Sequence, residues 1–209
     1  CIRDRLASVE AGSVLADIAR GAKRSDSVLN SRFIELTKQH RFDADSPIAQ
    51  LAAAVRGGDI AKARTILNTP HPDFLWIDPQ KEPEKLARLQ SEVVNHAQLV
   101  LDAAQNGGIE DALTAKTKLQ VLSSTRDGHL GVYDWNQLVE SGLGPVAAQR
   151  WYAGRPVLIT RNDSSTGLAN GDVGVICNLE GQLRACFGDP QEPTTIALAR
   201  LPDADTVHA

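Results

Sequence analysis

Val173-Gly-Val-Ile-Cys177, Glu180-Gly181 and Leu183-Arg-Ala-Cys-Phe187 form the passage on which the fold turns. Two apolar runs stand either side of a Glu-Gly pair, too close together for a helix to intervene. A tight loop ending in glycine joins antiparallel strands. Pro156-Val-Leu-Ile-Thr160 precedes them and Thr195-Ile-Ala-Leu198 follows, with Asn170-Gly171 as a further turn dipeptide. Several short strands in succession predict a small antiparallel barrel, so residues 146–209 read as a separate all-β module.

Upstream of Gly142-Leu-Gly-Pro145 the periodicity is helical. A first helix is expected from about Ser13, with Val14, Leu15 and Ile18 at one-face spacing. Ser46-Pro47 is a helix start, with serine as N-cap and proline at the first helical position. Its stripe is Ile48, Leu51, Ala52 and Val55, and Gly57-Gly58 stops it. Asp59 can cap a second short helix carrying Ile60, Ala63, Ile66 and Leu67. A long helix is expected from about Pro83 to Gln105, stopped by Asn106-Gly-Gly108, and a further one over Ile109 to Ala115. Phe33-Ile-Glu-Leu36 is a short candidate strand. Leu119-Gln-Val-Leu-Ser123 is expected to be a buried strand, leading through Thr125-Arg-Asp-Gly-His-Leu-Gly131 into a helix capped by Asp134. Open α/β sheets place ligands at such strand ends. Residues 1–145 are therefore expected to form part of an α/β motor-like domain.

Composition removes several classes. Of the 209 residues, 42% are apolar and 23% charged, which excludes a disordered tail, a collagen-like fibre and a disulfide scaffold. No apolar run approaches the ~20 residues of a membrane helix. Twenty-six acids against 22 bases give −4, so there is no general basic coat, although a local basic strip is compatible with this balance. Cys1, Cys177 and Cys186 form no CxxC pair and suit reduced thiols in the cytoplasm. The chain starts at Cys1 and has no methionine, so it is expected to be a piece of a longer protein.

Zincin, serine-hydrolase, paired-cysteine and phosphate-loop signatures are all missing, and the five histidines are scattered, so no metal site is expected. Three features remain. Between Gln149 and Asn162 there are three arginines (Arg150, Arg155, Arg161) and no acid, with Trp151-Tyr152 beside the first. The aromatic pair suits either stacking on bases or anchoring of the barrel to its neighbour. Asn162-Asp-Ser-Ser-Thr-Gly-Leu-Ala-Asn-Gly-Asp172 is either a binding loop or a run chosen for its turn geometry. Arg41 follows a short apolar run and precedes a capped helix, a place from which a planar cation can reach a phosphate or simply be solvated.

Together these stretches resemble a known family. Gly154-Arg-Pro-Val-Leu-Ile-Thr-Arg-Asn-Asp163 and Gly167-Leu-Ala-Asn-Gly-Asp-Val-Gly174 look like the barrel insertion of the RecD helicases, the alpha chains of exodeoxyribonuclease V. Leu36-Thr-Lys-Gln-His-Arg-Phe42 with Ser46-Pro-Ile-Ala-Gln-Leu-Ala52 resembles the family's fourth helicase motif. Leu122 to Gly131 with Asn136 resembles the strand and loop after it, and Arg3-Asp-Arg-Leu-Ala-Ser-Val-Glu-Ala-Gly12 the end of its third motif. Thr206-Val-His208 looks like the family's fifth motif, but its spacing from Leu201-Pro202 is too short and no lysine follows. The chain is expected to stop just before that motif.

The resemblance implies a C-terminal fragment of a superfamily-one helicase that moves 5′ to 3′ on single-stranded DNA. Residues 1–145 would belong to its second, RecA-like motor domain and 146–209 to an inserted SH3-like barrel. Arg41 would reach the γ-phosphate of ATP. Arg5 stands where the family carries a γ-phosphate-sensing glutamine, and Cys1-Ile2 where it has Gly-Asp. Arg126, Gly128 and Gly131, with Arg161, Asn162, Asn170 and Gly171, would face DNA. ATP and Mg²⁺ would be held mainly by residues upstream of Cys1, so the fragment alone is expected to be inactive. The implied partners are single-stranded DNA and the nuclease-helicase and third subunits of exodeoxyribonuclease V. A stand-alone or conjugative relaxase-type helicase, and a non-catalytic SH3-like interaction module, are the alternatives.

Overall fold

The computed structural model describes residues 12–24, 26–29, 32–34, 46–72, 74–106 and 108–208. The chain divides into two compact units between Trp76 and Ile77. In the first, helix α1 spans Gly12–Ala22, α2 Pro47–Gly57 and α3 Ile60–Asn68. The start of α2 follows from its sequence: the Ser46 hydroxyl accepts the Ala49 N–H at 3.2 Å and Pro47 supplies the first helical position. Gly58, in the left-handed conformation (φ 70°), ends it by donating its N–H to the carbonyls of Ala54 and Val55. Asp59 then accepts the Lys62 N–H at 2.9 Å and starts α3.

The second unit sets three helices against one sheet. Helix α4 spans Pro83–Gln105, α5 Ile109–Lys118 and α6 Val132–Leu143, which continues into a 3₁₀ turn over Gly144–Ala148. On α4, Val93, Ala97, Val100, Leu101 and Ala104 recur at helical spacing and form one buried face. They meet Ala112 and Leu113 of α5 and Trp135, Val139 and Leu143 of α6. Strands β1 (Pro156–Ile159), β2 (Val173–Leu179), β3 (Gln182–Asp189), β4 (Glu192–Ala197) and β5 (Ala204–Thr206) form an antiparallel sheet in the order β4-β3-β2-β1-β5. The β2–β3 hairpin closes at Glu180-Gly181, with φ of 53° and 84°. Two successive positive φ values match the twist of the strands they join.

Register explains why β2 reads as an unbroken apolar run. Val175 lies opposite Cys186 and Ile176 opposite Ala185, so adjacent residues point to opposite faces. Val175, Cys177 and Cys186 join the helical core. Ile176, Ala185 and Phe187 join a second core with Val157, Ile159, Leu168 and Ile196. A strand with both faces buried has no reason to alternate. Each large side chain so buried contributes roughly 1.5–3 kcal/mol. Gly174 fits the same scheme, because a Cβ there would lie 2.4 Å from the Cys186 carbonyl oxygen and 2.5 Å from the Phe187 ring.

Three local expectations are corrected. Residues 119–123 form no strand: Leu119 and Val121 pack on the helical core, Leu122 is 88% exposed, and among the described residues no strand pairs with this segment. Asp134 does not cap α6. The N-cap is Gly131, and Asp134 sits in the first turn, where its carboxylate accepts the Leu130 N–H at 3.2 Å. Phe33 and Ile34 lie outside any helix or strand, and Glu35 and Leu36 lie outside the described residues. Helices give way to strands after the 3₁₀ turn over Gly144–Ala148, and one core draws residues from both sides of that turn.

Candidate nucleic-acid interface

The loop from Arg161 to Asp172 joins β1 to β2 and is built by its own polar side chains. Asp163 accepts the Ser165 N–H at 2.8 Å and the hydroxyls of Ser165 and Thr166 at 3.1 Å. These donors, the Ser165 backbone first, hold the Asp163 carboxyl below its ordinary range. The Asp163 N–H donates to the Leu168 carbonyl, and the Gly167 N–H to the Asp163 carbonyl. Asn162 accepts the Asn170 N–H and Asp172 the Ala169 N–H, both at 2.8 Å. Leu168, 7% exposed, anchors the loop into the core on that face of the sheet. Gly171 has φ 95°, a conformation that favours glycine, and its N–H donates to the Ile159 carbonyl. The loop's polar residues are thus used for turn geometry, and the frame they build leaves Arg161, Asn162, Asn170 and Gly171 exposed.

Arg161 is 80% exposed on its side chain and makes a loose 3.7 Å pair with an equally open Asp203. Such a pair holds the cation weakly. Of the rest of the basic strip, Arg150 is exposed and Arg155 is half-buried among its neighbours. Tyr152 is buried, and its hydroxyl lies 2.8 Å from His208 Nε2. Arg155 hydrogen-bonds to the Arg150 carbonyl and the Thr206 hydroxyl, and its guanidinium carbon lies 5.5 Å from the Trp151 ring centre. Arg150 places its own at the same distance. Trp151 packs on the sheet's core, so the aromatic pair anchors the sheet.

Behind Tyr152 the chain end is fastened to α6. Asn136 accepts the His208 N–H at 3.0 Å and donates to the Thr206 carbonyl at 3.2 Å. Burial, and secondarily the Arg155 charge, pull His208 down to about 4, while burial pushes the Tyr152 hydroxyl up.

The loop 125–131 is ordered by backbone. Ser123 donates to the Leu130 carbonyl at 2.9 Å, and the N–H groups of Val132 and Tyr133 donate to Thr125 and Arg126. Gly131 is required by space, since a Cβ would meet the carbonyl oxygens of Arg126 and Asp127 at 2.8 Å. Arg126, Gly128 and His129 are exposed, whereas Gly131, expected to face DNA, is buried against the Arg126 and Asp127 carbonyls. Among the described residues, no hydrogen bond or ion pair joins this loop to the 161–172 loop. Nor do any three His, Cys, Asp or Glu among them gather as metal ligands would. Arg41 and Arg5, with Cys1 and His40, lie outside the described residues.

A tertiary grouping escaped the sequence. The Tyr152–His208–Asn136 fastening joins residues up to 72 positions apart, and nothing local announces it.

Chemically, the loop offers an exposed arginine, two exposed asparagines and a fixed turn, groups of the kind that can hydrogen-bond to phosphate and sugar. No protein-family model matches the chain. Curated relatives do. RecBCD enzyme subunit RecD of Mycolicibacterium smegmatis is 37% identical over 99% of this chain. The subunit of the same name from Mycobacterium tuberculosis is 36% identical over 99% of it, and that from Haemophilus influenzae 23% over 86%. The chain spans 35% of the length of each. Along nearly its whole length the chain is thus similar to a stretch of RecBCD enzyme subunit RecD.

Proposed function

We propose that the chain is a segment of an ATP-driven 5′–3′ DNA helicase subunit acting beside a nuclease-helicase and a third subunit in double-strand-break repair. Identity to RecD subunits over 99% of the chain carries this reading. In it, residues 1–145 belong to the second RecA-like motor domain and 146–209 to an inserted SH3-like barrel. The exposed loops at 125–131 and 161–172 track the phosphates of single-stranded DNA, with Arg126 and Arg161 as cations. Both loops are stiffened by internal hydrogen bonds, which lowers the ordering cost of contact. ATP and Mg²⁺ would bind chiefly to residues beyond this chain. Arg41 would supply positive charge to the transferred phosphoryl group, and Arg5 takes the sensing position.

Single-stranded DNA titrated at two salt concentrations tests the loops. Removing one phosphate-binding cation should reduce the salt slope by about 0.7. Arg161→Ala and Arg126→Ala should each weaken binding uniformly over sequences and flatten that slope. Binding that ignores salt and both substitutions would favour the interaction-module alternative. For the motor, Arg41→Ala in the whole subunit should leave ATP binding in place and reduce turnover by about 10³ or more. Equal loss of both would remove Arg41 from that role.

A further inference from the structure

Residues 77–209 carry the phenyl, phenol and indole rings of Tyr133, Trp135, Trp151, Tyr152 and Phe187. Trp135, Tyr152 and Phe187 are buried, and the Tyr152 hydroxyl bonds His208. The guanidinium groups of Arg150 and Arg155 lie over Trp151. Tyr133 is the exception. It is 56% exposed, and among the described residues its hydroxyl has no hydrogen bond of the kind Tyr152 makes. Its place is set by the loop before it. Tyr133 is the second residue of α6, and a helical side chain leans toward the N-terminal end of its helix. The ring is therefore directed toward residues 125–131, to which its own N–H is tied through the Arg126 carbonyl at 3.1 Å. Gly128 and Leu130, with φ of 86° and 63°, fix the turn of that loop, and Leu122, 88% exposed, stands at its entry. A tyrosine ring is a broad apolar face with one wet end, suited to a partner that is itself planar.

Charge gives this corner little hold on a nucleic-acid strand. Residues 122–134 hold one arginine, Arg126, against Asp127 and Asp134. The N–H groups of Val132 and Tyr133 are used by the carbonyls of Thr125 and Arg126, so the start of α6 offers neither to a phosphate. Stacking needs no net charge, and a base on an aromatic side chain raises affinity roughly five- to a hundredfold. Tyrosine also presents its face for the loss of only two torsions. We propose that the Tyr133 ring is a platform on which one unpaired base of single-stranded DNA stacks, with Arg126 beside it on the phosphate, so that this corner selects single strand over duplex. A base inside a duplex presents its edges in the grooves and keeps its faces covered, so it cannot occupy the ring. This role rests on the proposed reading of the 125–131 loop as a DNA contact. It adds a residue outside that loop and a physical basis for strand selectivity.

Fluorescence anisotropy of the full chain with a labelled twelve-nucleotide oligothymidylate tests the assignment, against an abasic strand and a duplex of equal length. Tyr133→Ala should weaken oligothymidylate binding roughly five- to a hundredfold at an unchanged salt slope. Its binding to the abasic strand and to the duplex should match the parent's, and Tyr133→Phe should bind oligothymidylate as the parent does. Tyr133 is exposed, so both substitutions should leave folding intact. The stacking role is overturned if Tyr133→Ala binds oligothymidylate as the parent does, if it loses the abasic strand equally, or if Tyr133→Phe binds as poorly as Tyr133→Ala. Should Arg126→Ala weaken binding and flatten the salt slope while Tyr133→Ala changes nothing, the loop remains a DNA contact and only the ring is dismissed. A parent chain that binds no strand at all removes both.

Discussion

Gly154 rests on the backbone of α4: a Cβ at this position would stand 2.5 Å from the Leu101 Cα. Its φ of 86° is also one that side chains rarely adopt, and its N–H donates to the Ile176 carbonyl at 2.7 Å. One residue thus sets how closely the long helix approaches the start of the sheet. Gly154→Ala should destabilise the chain by more than about 2 kcal/mol, because neither the strain nor the backbone contact can relax independently. Urea unfolding gives the value. A loss below about 0.5 kcal/mol, the range of an ordinary surface substitution, would mean that α4 does not approach this closely.

Leu168 ties the polar loop to the sheet. Leu168→Ala should cost about 2–4 kcal/mol and loosen the loop. Amide exchange at Asn170 and Gly171 should speed up, while exchange in α4 falls only with global stability. Unchanged exchange across 162–172 would show that the hydrogen bonds of Asp163 and Asn162 suffice alone.

Acid should act through His208. The folded-state value of about 4 lies below the roughly 6.5 of an unfolded histidine. Between these values the unfolded chain binds a proton that the folded chain refuses, so stability falls with pH. The contribution is complete above about pH 6.5 and is lost by about pH 4, where the loss reaches about 3 kcal/mol. His96, lowered by burial and then by Lys118 and Lys116, acts in the same direction. Unfolding free energies at about pH 7 and about pH 5 should differ less in His208→Gln than in the parent. An identical pH slope in both would contradict the buried neutral ring.

Cys177 and Cys186 are fully buried and free. Their native reaction with a thiol reagent should be limited by unfolding, with both groups released together in guanidinium. Rapid labelling of either in the native chain would place it at the surface.

Some of the fold is local information and some is not. Ser46-Pro47, Gly58 and Asp59 specify a start, a stop and a second start through bonds within four residues, and such signals can be read directly. The Glu180-Gly181 turn is equally local. Leu119–Ser123 misleads because an apolar run predicts burial, whereas a strand also needs a partner edge. The converse holds at β5: Ala204-Asp-Thr206 has no strand pattern and is extended because β1 leaves an edge for it to pair with. The candidate loop was legible in outline from its turn residues. Which of its neighbours face inward was not, since Arg155, Tyr152 and His208 are joined only by the tertiary structure.

The double-sided burial of β2 makes helices and sheet a joint enterprise. Excising residues 146–209 would strip the helical core of Val175, Cys177 and Cys186 and leave its inner side facing water. Trimming away α4 would wet the same three side chains from the opposite direction. Residues 77–209 should accordingly melt in one cooperative step, and any dissection of this region should begin its cut near Ile77.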